Sequence, residues 1–127
     1  MKAIQITAFG GPDVMKYVDL ADPVAGTDEV VLDVTAVGIN YADTHQTENS
    51  YLSPQTLPMI PGIEVVGTYA GKRYLASVSS GGYAQKAIAH TSVLFPIPDA
   101  VTDEQALCML VQGATAWHLL KTMGNLQ

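Results

Sequence analysis

Polar and apolar residues alternate with a period of two along "EVVLDVTAVGI", which places Val31, Asp33 and Thr35 on one face of a strand and Val30, Leu32, Val34 and Ala36 on the other. Strand-like segments punctuated by Gly, Pro, Asp and Asn run from Met1 to about Pro98. "MKAIQITAF", the turn "GGPD" and "VMKYVDLADP" predict a hairpin. "IEVVGTYAG", "RYLASVS", "YAQKAIAH" and "SVLFPIP" bring the total to about seven strands. Short strands at this spacing predict a mainly β fold, a closed or nearly closed barrel that exposes few edges.

Past Pro98 the period lengthens. Thr102 followed by Gln105 forms a capping-box pattern, and Asp103 and Glu104 fall in the first turn, where the helix dipole favours acids. Ala106, Met109 and Leu110 continue a helical face, Cys108 reads as a small core residue, and Lys121 with Gly124 supplies a C-terminal end. Gly113 interrupts the pattern and predicts two helices meeting at "VQGAT". The chain therefore divides into a β unit over 1–101 and a helical segment over 102–127.

Composition narrows the class. A chain of 127 residues, 48% hydrophobic, holds one core. Twelve acids against six bases give a net charge of -6, which argues against nucleic acid as a partner. The single cysteine excludes an internal disulfide and a four-cysteine zinc site. The N-terminus reads as a strand rather than a signal peptide, and no apolar run approaches a membrane span, so a cytoplasmic protein is expected.

One residue resists this plain reading. In "PMIPGIEVVG" the carboxylate of Glu64 falls inside an apolar strand. A buried charge is costly unless it is paired, so Glu64 is either functional or locked to a partner. By residue type alone, Asn40, Asp43 and Tyr51 are ordinary turn and loop residues, and Asp43 suits capping of a turn. His45, His90 and His118 are scattered without metal-ligand spacing.

"AVGINYADTHQTENSY", "IPGIEVVG" and "LCMLVQGATAWHLL", in this order on a β-rich chain, resemble the medium-chain dehydrogenase/reductase superfamily, and within it the zinc-independent quinone oxidoreductase branch. "MKAIQITAFGGPDVMKYVDL", "GGYAQKAIA" and "PIPDAVTDEQA" are similar to the same family, so the resemblance covers nearly the whole chain. It implies a GroES-like, partly closed barrel with a short helix after Asn40. The C-terminal helices would lead toward a nucleotide-binding domain. No G-x-G-x-x-G element occurs here, so the Rossmann domain is expected to be missing and the chain to be a truncated one.

The resemblance also assigns roles. Zinc-dependent relatives carry a cysteine at the position of Asn40 and a histidine at that of Ile63. Neither replacement suits zinc, so no zinc is expected and Glu64 reads as the remnant of a metal motif, structural or in proton transfer. Asn40 and Tyr51 fall on pocket positions, where Asn40 offers a donor and an acceptor and Tyr51 a hydroxyl or a wall; Tyr41 adds aromatic surface. Asp43 matches an "N-x-x-D" pattern. Gln112 and Thr115, at the expected helix break, border the cofactor cleft, where the Thr115 hydroxyl could bind the cofactor or simply cap a helix.

The implied cofactor of the complete enzyme is NADPH or NADH, with a quinone or enone as acceptor and self-association through the C-terminal helices. The chain alone is expected to be inactive and to bind cofactor weakly. Two alternatives stay open: a non-catalytic binding module of the same fold, and a reductase of enones or acyl thioesters. One departure from the family is local, because the loop between "VVGTYA" and "RYLASV" is shortened to "AGKRY".

Overall fold

The computed structural model describes residues 1–127. Seven strands form: β1 (Lys2–Gln5), β2 (Lys16–Asp19), β3 (Glu29–Val37), β4 (Glu64–Tyr69), β5 (Lys72–Ser77), β6 (Lys86–His90) and β7 (Leu94–Pro96). Five of them make one antiparallel sheet in the order β6-β3-β4-β5-β7, and β1 pairs with β2 as a separate ribbon. The ribbon is bonded to the segments that precede β6 and β4, through Ile4 N–H to Tyr83 O at 2.8 Å and Ile6 N–H to Met59 O at 2.9 Å. Strands β6 and β7 remain unpaired with each other, so the barrel is partly closed rather than sealed.

Alternation in β3 places the side chains as its pattern requires. Val30 and Leu32 are buried while Asp33 and Thr35 are exposed. A bulge between Val34 and Ala36 shifts the register against β4. Strand β4 does not alternate, because both of its faces are covered. Val65 joins the main core with Val30, Leu32, Ala76, Val78, Ala87 and Ala89, whereas Val66 faces Leu75 and Ala106. Glu64 begins this doubly buried strand. The β4–β5 connection is a two-residue turn, with Ala70 at φ 49° and Gly71 at φ 74°, the left-handed pair that suits a tight hairpin.

Helix α1 (Tyr41–Glu48) follows β3, and α2 (Asp103–Cys108) follows the strands. Thr102 and Gln105 make the expected reciprocal cap, with Gln105 N–H to Thr102 Oγ1 at 3.2 Å and Thr102 N–H to Gln105 Oε1 at 3.0 Å. The start of α2 is pinned to the sheet by Asp103, which accepts from Arg73 Nη1 at 2.7 Å and from Thr35 Oγ1 at 2.6 Å.

The two-helix expectation is corrected here. Gly113 keeps helical dihedrals (φ -64°, ψ -47°), and the chain continues as one helix through a π-helical turn (Met109–Gly113), α3 (Ala114–Trp117) and a second π-helical stretch (His118–Met123). Glycine here does not break the helix. The buried face is also rotated from the expected one: Ala106, Leu107 and Leu110 pack on the sheet, while Met109 is 62% exposed and Cys108 is exposed rather than in the core. Two residues along a helix turn a side chain about 200° from Ala106, which carries Cys108 to the solvent side. No helix is long and apolar enough to cross a membrane.

Candidate active site

Asn40 ends the extended segment after β3 (φ -116°, ψ 151°) and caps the start of α1. Asp43 closes this turn, accepting the Asn40 backbone N–H at Oδ2 at 2.8 Å, while the Asp43 N–H returns to Asn40 O at 3.0 Å. The backbone of Asn40 is thereby fixed, and its side chain, only 6% exposed, reaches inward to Glu64.

Glu64 is 1% exposed and takes part in no ion pair. Both carboxylate oxygens instead accept hydrogen bonds from neutral donors. Asn40 Nδ2 donates to Oε2 at 3.2 Å, and the backbone N–H of Val111 donates to Oε1 at 3.1 Å. Val111 lies in the first π-helical turn. A side-chain acceptor that competes with the helix's own carbonyls for an N–H is a recognised source of such irregularity. The network extends one step further: Gln112 Nε2 donates to Asn40 Oδ1 at 2.7 Å. Three chain segments thus meet on one carboxylate.

Gly38 makes room for that carboxylate. A Cβ placed on Gly38 would overlap Glu64 Oε2 and approach its Cδ to 2.9 Å. Asp43 has a second partner as well, because Tyr83 donates its hydroxyl to the same Oδ2 at 2.7 Å. Burial raises the Tyr83 phenol well above its ordinary value, and the bond to Asp43 and the Asp43 charge raise it further. Tyr83 therefore keeps its proton and serves as a fixed donor rather than an acid near neutrality.

Beside this wall lies a cleft of about 380 Å³ between α1 and the Gly11–Met15 segment, lined by Ile39, Asn40, Asp43, Thr47 and Tyr83 among others. Asp43 Oδ1 is buried without a protein partner.

Of the residues singled out from the sequence, Asn40, Asp43 and Gln112 converge around Glu64. Tyr51 is on the loop after α1, 40% exposed, and its hydroxyl has no protein partner. Tyr41 is 79% exposed and stacks edge-on against His45. Thr115 is exposed in the middle of a continuous helix, so its expected place at a helix start is corrected, and no free helix N-terminus is available there to bind phosphate. Tyr83, Gly38 and the Val111 N–H went unnoticed in the sequence. The glycine in "AVGIN" and the tyrosine in "GGYAQ" were the available signals; a backbone donor leaves none.

Comparison with known proteins agrees with this architecture. Residues 26–72 match the family described as alcohol dehydrogenase GroES-like domain. The chain is 31% identical to a quinone oxidoreductase of Lama guanicoe, over 94% of this chain and 40% of that protein. It is likewise 31% identical to the human synaptic vesicle membrane protein VAT-1 homolog, over the whole of this chain and 36% of that protein. The crystal structure of a quinone oxidoreductase from Thermus thermophilus, a protein also solved in complex with NADPH, superposes with a TM-score of 0.88 at 41% identity, covering 96% of this chain and 40% of that one. The chain thus spans about two-fifths of the relatives it matches.

Proposed function

This chain belongs to the medium-chain dehydrogenase/reductase superfamily, as an alcohol dehydrogenase GroES-like domain of the quinone oxidoreductase kind, and from that premise we propose that it forms the substrate-side wall of an NADPH-dependent reductase that acts on a quinone without zinc. The observation that carries the proposal is the double commitment of the Asn40 amide, to Glu64 on one side and Gln112 on the other. A zinc ion would need strong donor atoms at this position and at residue 63. The Asn40 amide is a poor zinc ligand beside the thiolate it replaces, and Ile63 has no donor atom, so the residues do not fit the metal.

They do fit a nicotinamide and a carbonyl acceptor. One amide hydrogen of Asn40 and the Oε1 of Gln112 are without protein partners, which leaves one donor and one acceptor for polar groups of bound molecules. When bound, the reduced nicotinamide supplies the hydride, and a quinone takes up the incoming charge through its own conjugated carbonyls. Asn40 supplies a hydrogen bond to the developing oxyanion, and the apolar side chains around the cleft exclude water. Asp43 and Tyr83 hold the turn that carries Asn40. Tyr51 is assigned to the pocket wall, and Thr115 to the cofactor side of the helix, on their family positions. The names of the relatives favour a quinone over an enone or an acyl thioester, and the cytoplasm is the proposed location.

Dinucleotide binding draws mainly on phosphate and adenosine contacts, for which these residues offer no glycine-rich cradle. The chain alone is therefore proposed to be inactive. The test fuses it to the nucleotide-binding and C-terminal segments of a quinone oxidoreductase relative. Quinone-dependent NADPH oxidation should return, elemental analysis should find no stoichiometric zinc, and Asn40→Ala should slow hydride transfer by about 10²-fold. Thr91→Ala, on an exposed turn, should leave the rate unchanged. NADPH oxidation by the isolated chain, or an Asn40→Ala chimera of undiminished rate, would overturn the proposal.

A further inference from the structure

The direction of the amide network has a single source. Both oxygens of Glu64 accept hydrogen bonds, Oε1 from Val111 N–H at 3.1 Å and Oε2 from Asn40 Nδ2 at 3.2 Å, so Asn40 turns its nitrogen toward Glu64. That leaves Asn40 Oδ1 on the opposite side, where it needs a donor. Gln112 brings Nε2 to it at 2.7 Å and, with its nitrogen committed inward, keeps Oε1 free of protein partners on an exposed side chain. A carboxamide has nearly the same shape in its two orientations, so shape alone does not select one. The buried carboxylate, accepting at both of its oxygens, does. It is itself held from the far side by Val111 N–H at 3.1 Å and fits only because residue 38 has no side chain.

We propose that Glu64 is a positioning residue that sets the direction of a Glu64–Asn40–Gln112 relay, so that Gln112 presents an acceptor and selects a ligand bringing an N–H or O–H donor to it. The identity of that ligand rests on the functional reading above: the carboxamide of a reduced nicotinamide carries such an N–H. The direction of the relay does not depend on that reading.

Glu64→Gln tests the relay with almost no change of volume. The new side chain must keep its oxygen on Val111 N–H, so its amide nitrogen faces Asn40. Asn40 then has to turn Oδ1 inward and Nδ2 outward, and Gln112 must turn Oε1 toward Asn40 and Nε2 to solvent. A substitution with a merely structural effect would loosen these side chains without inverting them. Side-chain amide NMR on the full 127-residue chain reads the difference without any cofactor. In the wild type, the Asn40 amide protons should give cross-peaks to the Glu64 γ protons, and the one Gln112 amide proton bonded to Asn40 Oδ1 should exchange slowly with water. In Glu64→Gln, the Asn40 amide protons should instead meet the Gln112 side chain, and the Gln112 amide should lose its protection.

Wild-type cross-peaks joining the Asn40 amide protons to the Gln112 γ protons and missing at Glu64, or unchanged orientations in the variant, would overturn the relay. If the variant does not fold, the wild-type pattern alone decides. For the ligand, reduced nicotinamide mononucleotide at millimolar concentration should shift the Gln112 side-chain resonances of the wild type and bind severalfold more weakly to the variant. No shift at Gln112, or equal affinity in both, would overturn the selection of a donor while leaving the hydride-transfer assay of the chimera as a separate result.

Discussion

Glu64 Oε1 accepts the backbone N–H of Val111 at 3.1 Å, although the two residues are 47 apart in the sequence. The contact ties the first residue of β4 to the first π-helical turn of the C-terminal helix. It gives a buried carboxylate a donor that no side-chain pattern would reveal, and it holds Gln112 within reach of Asn40.

Gly38→Ala tests how tightly that carboxylate is packed. The added methyl collides with Oε2 and the Glu64 side chain must move, breaking its contacts to Asn40 and Val111. A loss of about 2 kcal/mol in urea denaturation is expected, in the range of other overpacked sites. Gly11→Ala is the control, since nothing lies within 4 Å of its added Cβ, and it should change stability by no more than about 0.5 kcal/mol. Equal effects of the two substitutions would remove Gly38 from the account of the site.

Much of this arrangement was legible beforehand, and its gaps have physical causes. Strands declare themselves through alternation, so β3 and its inward face were readable from Val30 and Leu32. The Thr102–Gln105 cap was readable because its chemistry is local. Gly113 misled because glycine's helix penalty, about 1 kcal/mol, is small beside the packing of Ala106 and Leu110 on the sheet. The acid in β4 announced that a partner existed without saying which. Its partners lie on α1's cap and on a backbone amide far down the chain, and only the fold brings them together. Tyr83 was missed for the same reason, since its hydroxyl acts across 40 residues on Asp43.

Tyr83 makes stability depend on alkaline pH. Its folded-state ionisation is raised above the ordinary 10.0, by burial first and then by Asp43. Below pH 10 the proton is bound in both states and the contribution is fully present. Above it the unfolded chain releases the proton while the folded chain keeps it, so stability falls as pH rises toward the raised folded value. Ultraviolet titration of the six tyrosines should show one that ionises only as the fold is lost. In Tyr83→Phe that late component should vanish. A Tyr83 signal titrating with the exposed tyrosines would contradict the buried hydrogen bond.

The β4–β5 turn offers a stabilising change. Ala70 holds a left-handed conformation, φ 49°, which costs a residue with a Cβ about 1 kcal/mol relative to one that adopts it readily. Asparagine before glycine is the favoured pair in such a turn. Ala70→Asn should therefore raise the unfolding free energy by up to about 1 kcal/mol, and Ala70→Val should lower it by a similar amount. A thermal melt of both variants is sufficient. The opposite order would mean that the turn adopts another conformation.

The C-terminal helix should drive self-association. Trp117, Leu119, Leu120 and Met123 are between 54% and 78% exposed, and together with Met109 they leave apolar surface along the helix beyond the part that packs on the sheet. Contiguous apolar surface of this kind is costly in water, and its burial against a second copy recovers roughly 25 cal/mol for each square ångström removed. The helix carries a single charged residue beyond Glu104, Lys121, so little electrostatic repulsion opposes the approach of two copies. Light scattering should find dimers or larger species at concentrations where Leu120→Glu with Met123→Lys gives monomers. Trp117 fluorescence should shift to the blue as the wild type associates and stay constant in the double variant. A monodisperse wild-type monomer at high concentration, with Trp117 fully open to quenchers, would show that this surface is tolerated in water and that the helix has no affinity for its own copy.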